Sequence, residues 1–200
     1  KLIEAVMAEK CGWAGPEDIY IKYHDHEWGV PQYDGRLLWQ MLVLESFQAG
    51  LSWIIILRRR ESFFQAFEGL DPNVIATWGE VEVKKLLIDK GIIRHRGKIE
   101  ATLSNAKSWQ KIEAEGGFSN LLWGAVDGQP IQNNWHHLQD VPAETVISLK
   151  LSAQLKAEGF RFCGPKTVYA LMQAAGLVND HLVECPAHAK VRRLAGVKSG

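Results

Sequence analysis

The stretch Gly159-Phe160-Arg161-Phe162-Cys163-Gly164-Pro165-Lys166-Thr167 lies between two segments of helical periodicity, Glu144 to Glu158 and Pro165 to Ala175. Glycine permits a tight turn at Gly164, and proline is favoured at the first position of a helix. The N–H groups at such a helix start attract a phosphate, to which Lys166 would add charge. The stretch therefore predicts a helix-hairpin-helix at about 155–176 that holds DNA by its backbone, with an ordinary glycine turn as the alternative.

Helical signals continue outward from this stretch along the rest of the chain. Asp34 and Gly50 bound one predicted helix, and Asp71-Pro72 combines an N-cap with proline at the first helical position. Apolar periodicity predicts further helices at 53–67, 80–89, 95–111 and 118–126. The polar stretch 127–142 is a predicted loop. Because no segment alternates with a period of two, we expect an all-α fold in one unit of residues 1–200.

Composition narrows the class of protein further. Lys and Arg number 23 and Asp and Glu number 23, so the net charge is zero and any nucleic-acid site must be a local basic patch. Three groups of basic residues are candidates for such a patch: Arg58 to Arg60; Arg94, Arg96 and Lys98; and Lys190, Arg192 and Arg193. Taken alone, each group fits a solvated helix face better than a DNA site. No apolar run approaches the ~20 residues that span a bilayer, and Lys1 to Lys10 lack the apolar core of a signal peptide. We therefore expect a cytoplasmic protein.

Candidate metal ligands stand in two pairs near opposite ends of the chain: Cys11 and His24, then His181 and Cys185. The four-residue spacing of the second pair would place both side chains on one face of a helix. Two thiolates and two imidazoles complete a tetrahedral zinc shell, which would join segments 11–24 and 181–185 and leave no position for water. A small buried cysteine and a core histidine are the alternative, and His26 and His188 compete as ligands.

A glutamate interrupts an apolar helix face. The residues that share this face at helical spacing are Leu38, Met41, Glu45 and Gln48. A carboxylate facing a core is costly unless it is paired, so a buried arginine, a helix N-terminus or a cationic ligand must meet it. Tyr23 and Trp53 belong to neighbouring segments, and aromatic rings beside an acid form a reasonable pocket for a flat, positively charged ligand.

Six strings of residues between Cys11 and Cys185 carry a more specific pattern. They are Cys11-Gly12-Trp13, Tyr23-His24-Asp25-His26-Glu27-Trp28-Gly29-Val30-Pro31, Leu44-Glu45, Gln48-Ala49-Gly50-Leu51-Ser52-Trp53, Gly91-Ile92-Ile93-Arg94-His95-Arg96-Gly97-Lys98-Ile99 and Gly176-Leu177-Val178-Asn179-Asp180-His181. Together these strings resemble the DNA-3-methyladenine glycosylase I family of the helix-hairpin-helix superfamily.

The resemblance implies a helix-hairpin-helix glycosylase fold with a structural Zn²⁺. The zinc ligands that it implies are Cys11, His24, His181 and Cys185. Glu45 matches the acidic residue that contacts the alkylated base, and is the expected catalytic residue. Tyr23 and Trp53 are expected to sandwich that base, with Trp28 and Gln48 in the same pocket. The expected DNA-backbone contacts are Gly164 and Lys166.

The activity that the resemblance implies is hydrolysis of the N-glycosidic bond of 3-methyladenine in alkylated double-stranded DNA. No lysine nucleophile is evident, so we expect a monofunctional enzyme that leaves an abasic site and acts as a monomer. Asn179 stands where many members of the superfamily carry an assisting aspartate, which argues against an aspartate-driven mechanism, including one through Asp180. Two rival classes are a zinc hydrolase, which needs an open coordination position, and a DNA-binding module, which would not need Glu45 on an apolar stripe.

Overall fold

Helices dominate residues 10–196, which are the residues that the computed structural model describes. The α-helices of this range are α1 (Asp18–His26), α2 (Gly35–Gln48), α3 (Trp53–Ala66), α4 (Pro72–Ile75), α5 (Glu80–Ile88), α6 (Arg96–Glu115), α7 (Phe118–Gly124), α8 (Val146–Ala157), α9 (Pro165–Ala174) and α10 (Pro186–Gly196). None of them is long and apolar enough to cross a membrane. The expectation that Lys1 to Lys10 lack the apolar core of a signal peptide concerns residues that, apart from Lys10, lie outside the described range.

A two-residue parallel ladder is the departure from the expected all-α fold within residues 10–196. Strand β1 (Ile131–Gln132) pairs with β2 (Val178–Asn179), with Ile131 opposite Val178 and Gln132 opposite Asn179. Strand β1 lies inside the predicted loop 127–142, and strands of two residues each are too short to show a period of two. The ladder ties this loop to the segment that follows α9.

Capping residues and glycines set most helix boundaries. The Asp34 side chain accepts hydrogen bonds from the backbone N–H groups of Arg36 and Leu37, at 2.8 and 2.9 Å, which fixes the start of α2. Helix α6 continues four residues past its predicted end at Lys111 and ends at Glu115, because two glycines follow at 116–117. These glycines have φ values of 151° and 97°, a region that most side chains disfavour.

Helix α2 lies at the centre of the hydrophobic core. It packs against α3, α6, α7 and α9, and its residues Leu38, Trp39 and Phe47 are fully buried. The Trp39 indole N–H donates to the Leu70 carbonyl at 2.9 Å, so even its polar atom is satisfied inside the core. Polar residues in the second half of α2 lie inside the protein: Glu45 and Ser46 are buried.

Gly176 marks the closest approach between the early and late parts of the chain. Its φ is 73°, and a Cβ atom there would lie 2.6 Å from backbone atoms of Gly29, Val30 and Pro31. Backbone hydrogen bonds join the same segments: Gly29 N–H to the Ala174 carbonyl at 3.2 Å and Gln32 N–H to the Ala175 carbonyl at 3.0 Å. The absence of a side chain at Gly176 lets the segment after α1 lie directly on the end of α9.

Candidate functional site

A cavity of about 260 Å³ opens beside α2. Its lining residues come from distant parts of the chain: Trp13, Tyr20, Tyr23, Trp28, Glu45, Gln48, Trp53, Leu138, Val141, Ala170, Gln173 and Asp180. All five residues expected around a base are among them. The volume lies just below the roughly 300–1,000 Å³ of typical ligand sites, which suits a small ligand. We call this cavity the aromatic pocket.

Glu45 is buried, with 5% of its surface exposed. No side-chain hydrogen bond or ion pair to its carboxyl group is found among residues 10–196, so neither a buried arginine nor a helix N-terminus meets it there. Burial raises the pKa of the Glu45 carboxyl to about 8, because water no longer solvates the charged form. The group can therefore hold a proton at neutral pH and release it when a cation arrives.

A buried lysine fixes the end of the helix that carries Glu45. The ammonium group of Lys98 donates to the carbonyls of Phe47 and Ala49, at 2.9 and 2.7 Å, which would otherwise be unpaired at the end of α2. Lys98 therefore belongs neither to the candidate basic patch of Arg94, Arg96 and Lys98 nor to a solvated helix face, because it is 7% exposed and faces the core. Burial lowers the pKa of Lys98.

Tyr23 and Trp53 form one wall of the aromatic pocket. Their ring centroids are 5.2 Å apart with an interplanar angle of 41°, which is direct contact for an aromatic pair. A planar base cannot lie between them in this arrangement, so the expected sandwich does not fit. The Trp53 indole nitrogen is also buried without a hydrogen-bond partner in the described residues.

Two further aromatic residues, Trp13 and Tyr20, line the pocket and were not predicted from the sequence. The Trp13 ring lies 4.8 Å from that of Trp28 and 5.3 Å from that of Tyr20. Tyr20 is three residues before Tyr23 on α1, so both side chains lie on one face of that helix. Helix α1 was itself not predicted, which is why this spacing gave no signal.

Asp180 lines the same pocket and accepts four hydrogen bonds. Its Oδ1 accepts from the side chains of Asn133 and Trp135 at 2.7 and 2.8 Å. Its Oδ2 accepts from the Tyr169 hydroxyl at 2.6 Å and from the Gln173 amide at 2.9 Å. The carboxylate is therefore held rigidly, and it joins the loop after β1 to α9.

The four predicted metal ligands, Cys11, His24, His181 and Cys185, form one buried cluster. Their ligand atoms all lie within 4.8 Å of one another. The Cys11 sulfur lies 3.6 Å from Nδ1 of His181, and the Cys185 sulfur lies 3.7 Å from Nε2 of His24. We call this group the ligand cluster, and its atoms are placed so that they could hold a metal ion.

The surroundings of the ligand cluster orient both imidazole rings. Nε2 of His181 donates to the Trp28 carbonyl at 3.0 Å, and Nδ1 of His24 donates to the Asp25 carboxylate at 2.8 Å. Each ring therefore turns its other nitrogen, without a proton, toward the sulfurs. A hydrogen bond from the Cys11 thiol lowers the pKa of Cys185 and favours its thiolate.

The segment His181–Cys185 is a turn, not the helix that its spacing suggested. Helix α10 begins only at Pro186, since proline is accommodated at the first helical position. The competing ligands lie elsewhere: the His188 ring bonds to the Asn133 carbonyl at 2.8 Å, and His26 is exposed. The ligand pair thus meets through a tight turn rather than through a shared helix face.

The predicted hairpin joins α8 to α9, and both helices lie within two residues of the bounds predicted for them, Glu144 to Glu158 and Pro165 to Ala175. Gly164 has extended backbone with φ −63°, and the residues with positive φ between the two helices are Gly159, with φ 93°, and Phe162, with φ 55°. A Cβ atom at Gly164 would meet no atom within 4 Å, so the surface beside it is open. Lys166 is exposed in the first turn of α9.

Comparisons with known proteins agree with one another. A family model described as methyladenine glycosylase matches residues 13–188. The DNA-3-methyladenine glycosylase of Haemophilus influenzae is 45% identical over 181 residues, which cover 90% of this chain and 98% of that protein. DNA-3-methyladenine glycosylase 1 of Escherichia coli is 45% identical over 178 residues, 88% of this chain and 95% of that protein. A structure addressing 3-methyladenine recognition by the Staphylococcus aureus glycosylase I has a TM-score of 0.87 at 38% identity, covering 90% of this chain and 97% of that one.

Proposed function

The chain belongs to the methyladenine glycosylase family, and we propose that it hydrolyses the N-glycosidic bond of 3-methyladenine in alkylated DNA. The product is an abasic site, and a monofunctional enzyme does not cut the strand. We take residues 1–200 as one glycosylase unit that acts as a monomer on double-stranded DNA. Alkylation at N3 makes adenine cationic and therefore a good leaving group, so the protein has mainly to extrude the base, hold it and orient water.

One observation carries this proposal: the Glu45 carboxyl is buried without a hydrogen-bond partner in residues 10–196, at a pocket of aromatic rings. Burying such a group without a partner is costly. A cationic base supplies the missing partner, whereas neutral adenine does not. Glu45 is therefore the residue that discriminates alkylated from normal adenine and accepts hydrogen bonds from the bound base.

The flipped base stacks on the pocket face of Trp53, with Tyr23 supporting that ring from behind. The contact between the two rings and the partial exposure of Trp53 favour this arrangement over a sandwich. Trp28 and Gln48 complete the binding residues from the other sides of the cavity. Extrusion costs a few kcal/mol in lost stacking, and less for a damaged base.

The ion in the ligand cluster is Zn²⁺. A tetrahedral zinc with Zn–S of ~2.3 Å and Zn–N of ~2.0–2.1 Å puts neighbouring sulfur and nitrogen ligands about 3.6 Å apart. The nearest sulfur–nitrogen distances of 3.6 and 3.7 Å fit this geometry. Two cysteines and two histidines, all buried, leave no position for water, so the ion has a structural role and the zinc-hydrolase class is disfavoured.

The DNA backbone lies against the hairpin turn. The open surface at Gly164 lets a phosphate approach the first N–H groups of α9, and exposed Lys166 adds positive charge. A DNA-binding module without catalysis would share this hairpin, but it would have no use for a buried carboxyl beside aromatic rings.

The test of the proposed function is release of the base itself. Duplex DNA alkylated with a methylating agent is incubated with the purified protein, and the released bases are separated and identified by chromatography. We expect free 3-methyladenine and abasic DNA with intact strands. Binding to abasic DNA without any base release would instead favour the DNA-binding module.

The pH dependence of base release should follow Glu45. Because its pKa is about 8, most of the free enzyme below that pH carries a proton that must leave before the carboxylate can meet a cation. We therefore expect kcat/KM to rise about tenfold per pH unit between about pH 6 and pH 8, and to level off above pH 8. Base release at low enzyme concentration across this range measures it. A wild-type profile as flat as that of Glu45→Gln would contradict the assignment.

A further inference from the structure

Three cations meet in a second cavity that has so far received no role. Arg59 of α3, together with Lys90 and Arg94 of the segment between α5 and α6, lines a space of about 520 Å³. The remaining lining residues are apolar: Leu87, Ile92 and Ile93. We call this cavity the basic pocket.

The charges of the basic pocket are not neutralised by the described residues. Neighbouring arginines are ion-paired: Arg58 with Glu17, Arg60 with Glu27, and Arg96 with Glu80 and Glu100. No carboxylate in residues 10–196 forms such a pair with Arg59, Lys90 or Arg94. The nearest carboxylate in sequence, Asp89, accepts a hydrogen bond from the backbone of Gly91 at 2.7 Å. Three like charges around one cavity repel one another, so an anion there would be stabilised.

The basic pocket lies beside the hairpin turn. The ring of His95, which follows Arg94, packs edge-on against Phe162 of the turn with centroids 5.8 Å apart. Asn105 of α6 bonds to both backbone groups of Arg161, at 2.8 and 2.9 Å, which fixes the turn against this part of the protein. On the other side, Arg59 belongs to the helix that starts with Trp53 of the aromatic pocket.

We propose that the basic pocket binds a phosphodiester group of the DNA strand, as a second backbone contact beside the hairpin turn. This inference rests on the proposed function. Arginine and lysine bind phosphate oxygens through charge-assisted hydrogen bonds, and each neutralised phosphate releases counterions from the DNA. A chain with zero net charge has no general attraction for DNA, so local clusters of this kind must supply it.

The test is the salt dependence of DNA binding. The probe is a 15-base-pair duplex that carries one tetrahydrofuran abasic-site analogue, and the variant is Arg59→Gln, Lys90→Gln, Arg94→Gln. We expect binding at 0.1 M salt to weaken about tenfold, and the slope of log Kd against log salt concentration to fall by about 1, the contribution of one phosphate. The charge-retaining variant Arg59→Lys, Arg94→Lys should keep most of the slope.

A control with the same loss of three positive charges is Lys84→Gln, Lys85→Gln, Lys107→Gln, whose residues are exposed and lie outside the basic pocket and the candidate basic patches. Melting temperatures of all variants check that they fold. An unchanged slope in the pocket variant, or an equal loss of slope in the control, would overturn the inference. Wild-type release of 3-methyladenine is measured in parallel, and its absence would reject the proposed function while leaving the binding comparison valid.

Discussion

Glu45→Gln is expected to slow release of 3-methyladenine by ~10²–10³-fold, the range found when one preorganised electrostatic group is removed from an active site. Glutamine keeps the size and shape of the side chain but cannot carry the negative charge that meets the cationic base. The pocket wall should stay intact, since no hydrogen bond within residues 10–196 holds the Glu45 carboxyl in place. Single-turnover base release at pH 8 from alkylated duplex DNA measures the effect.

The same substitution should make the protein more stable at alkaline pH. Burial raises the pKa of Glu45 from 4.5 to about 8, so between these values the folded state holds a proton that the unfolded state has lost. Stability of the wild type therefore falls as pH rises through this window, by about 1.4 kcal/mol for each pKa unit. Glutamine removes this loss, and the variant should melt at a higher temperature above pH 8.

Glu144→Gln is the matched control for Glu45→Gln, because Glu144 is exposed and lies outside the aromatic pocket. It should change neither base release nor melting. The assignment of Glu45 fails if its glutamine variant keeps the wild-type rate. A slow variant that also melts well below the wild type would point to a structural role instead.

Cys185→Ser is expected to abolish metal binding and to lower the melting temperature by more than ~10 °C. Loss of a ligand leaves an incomplete shell, and structural zinc contributes directly to the free energy of folding. For a chain of this length about 1 kcal/mol corresponds to ~2–4 °C, so a loss of several kcal/mol gives a shift of this size. Zinc content of the purified protein by elemental analysis and thermal unfolding measure the two effects.

Cys163→Ser provides the comparison, because Cys163 is equally buried but lies outside the ligand cluster. It should keep one zinc per chain, and its loss of stability reports the cost of a buried cysteine-to-serine change alone. A wild-type protein without zinc would refute the metal assignment. So would a Cys185→Ser protein that kept its metal and its melting temperature.

The ligand cluster also supports the wall of the aromatic pocket. The Trp13 ring lies 5.1 Å from the ring of His24, and the Trp28 ring lies 4.7 Å from that of His181. Both tryptophans line the aromatic pocket. Metal loss should therefore displace these rings and weaken base binding, although the ion itself touches no substrate.

Helices with strong local signals were predictable from the sequence. Helix α2 begins after Asp34 and α9 begins at Pro165, as expected, because N-caps and first-turn prolines act within a few residues. Helix α1 follows Glu17, whose side chain makes no capping hydrogen bond, so no start signal marked it. The ladder between β1 and β2 depends on contacts between segments 47 residues apart, which no local pattern encodes.

Residues of the candidate site were predictable from the sequence where a single residue is unusual for its position. Glu45 stood out as a charge on an apolar helix face, and its burial follows from the central position of α2. Trp13 and Asp180 gave no such signal. The role of Asp180 depends on Asn133 and Trp135, which lie 47 and 45 residues away, and only the folded chain brings them together.

The ligand cluster has a consequence for how the newly made chain matures on the ribosome. Cys11 and His181 are 170 residues apart. At synthesis rates of ~5–20 residues per second, about ten seconds or more separate the synthesis of these two ligands. Until His181 and Cys185 emerge, the ligand cluster against which Trp13 and Trp28 pack is incomplete. The nascent chain can therefore begin to form its hydrophobic core before its aromatic pocket is able to bind a damaged base.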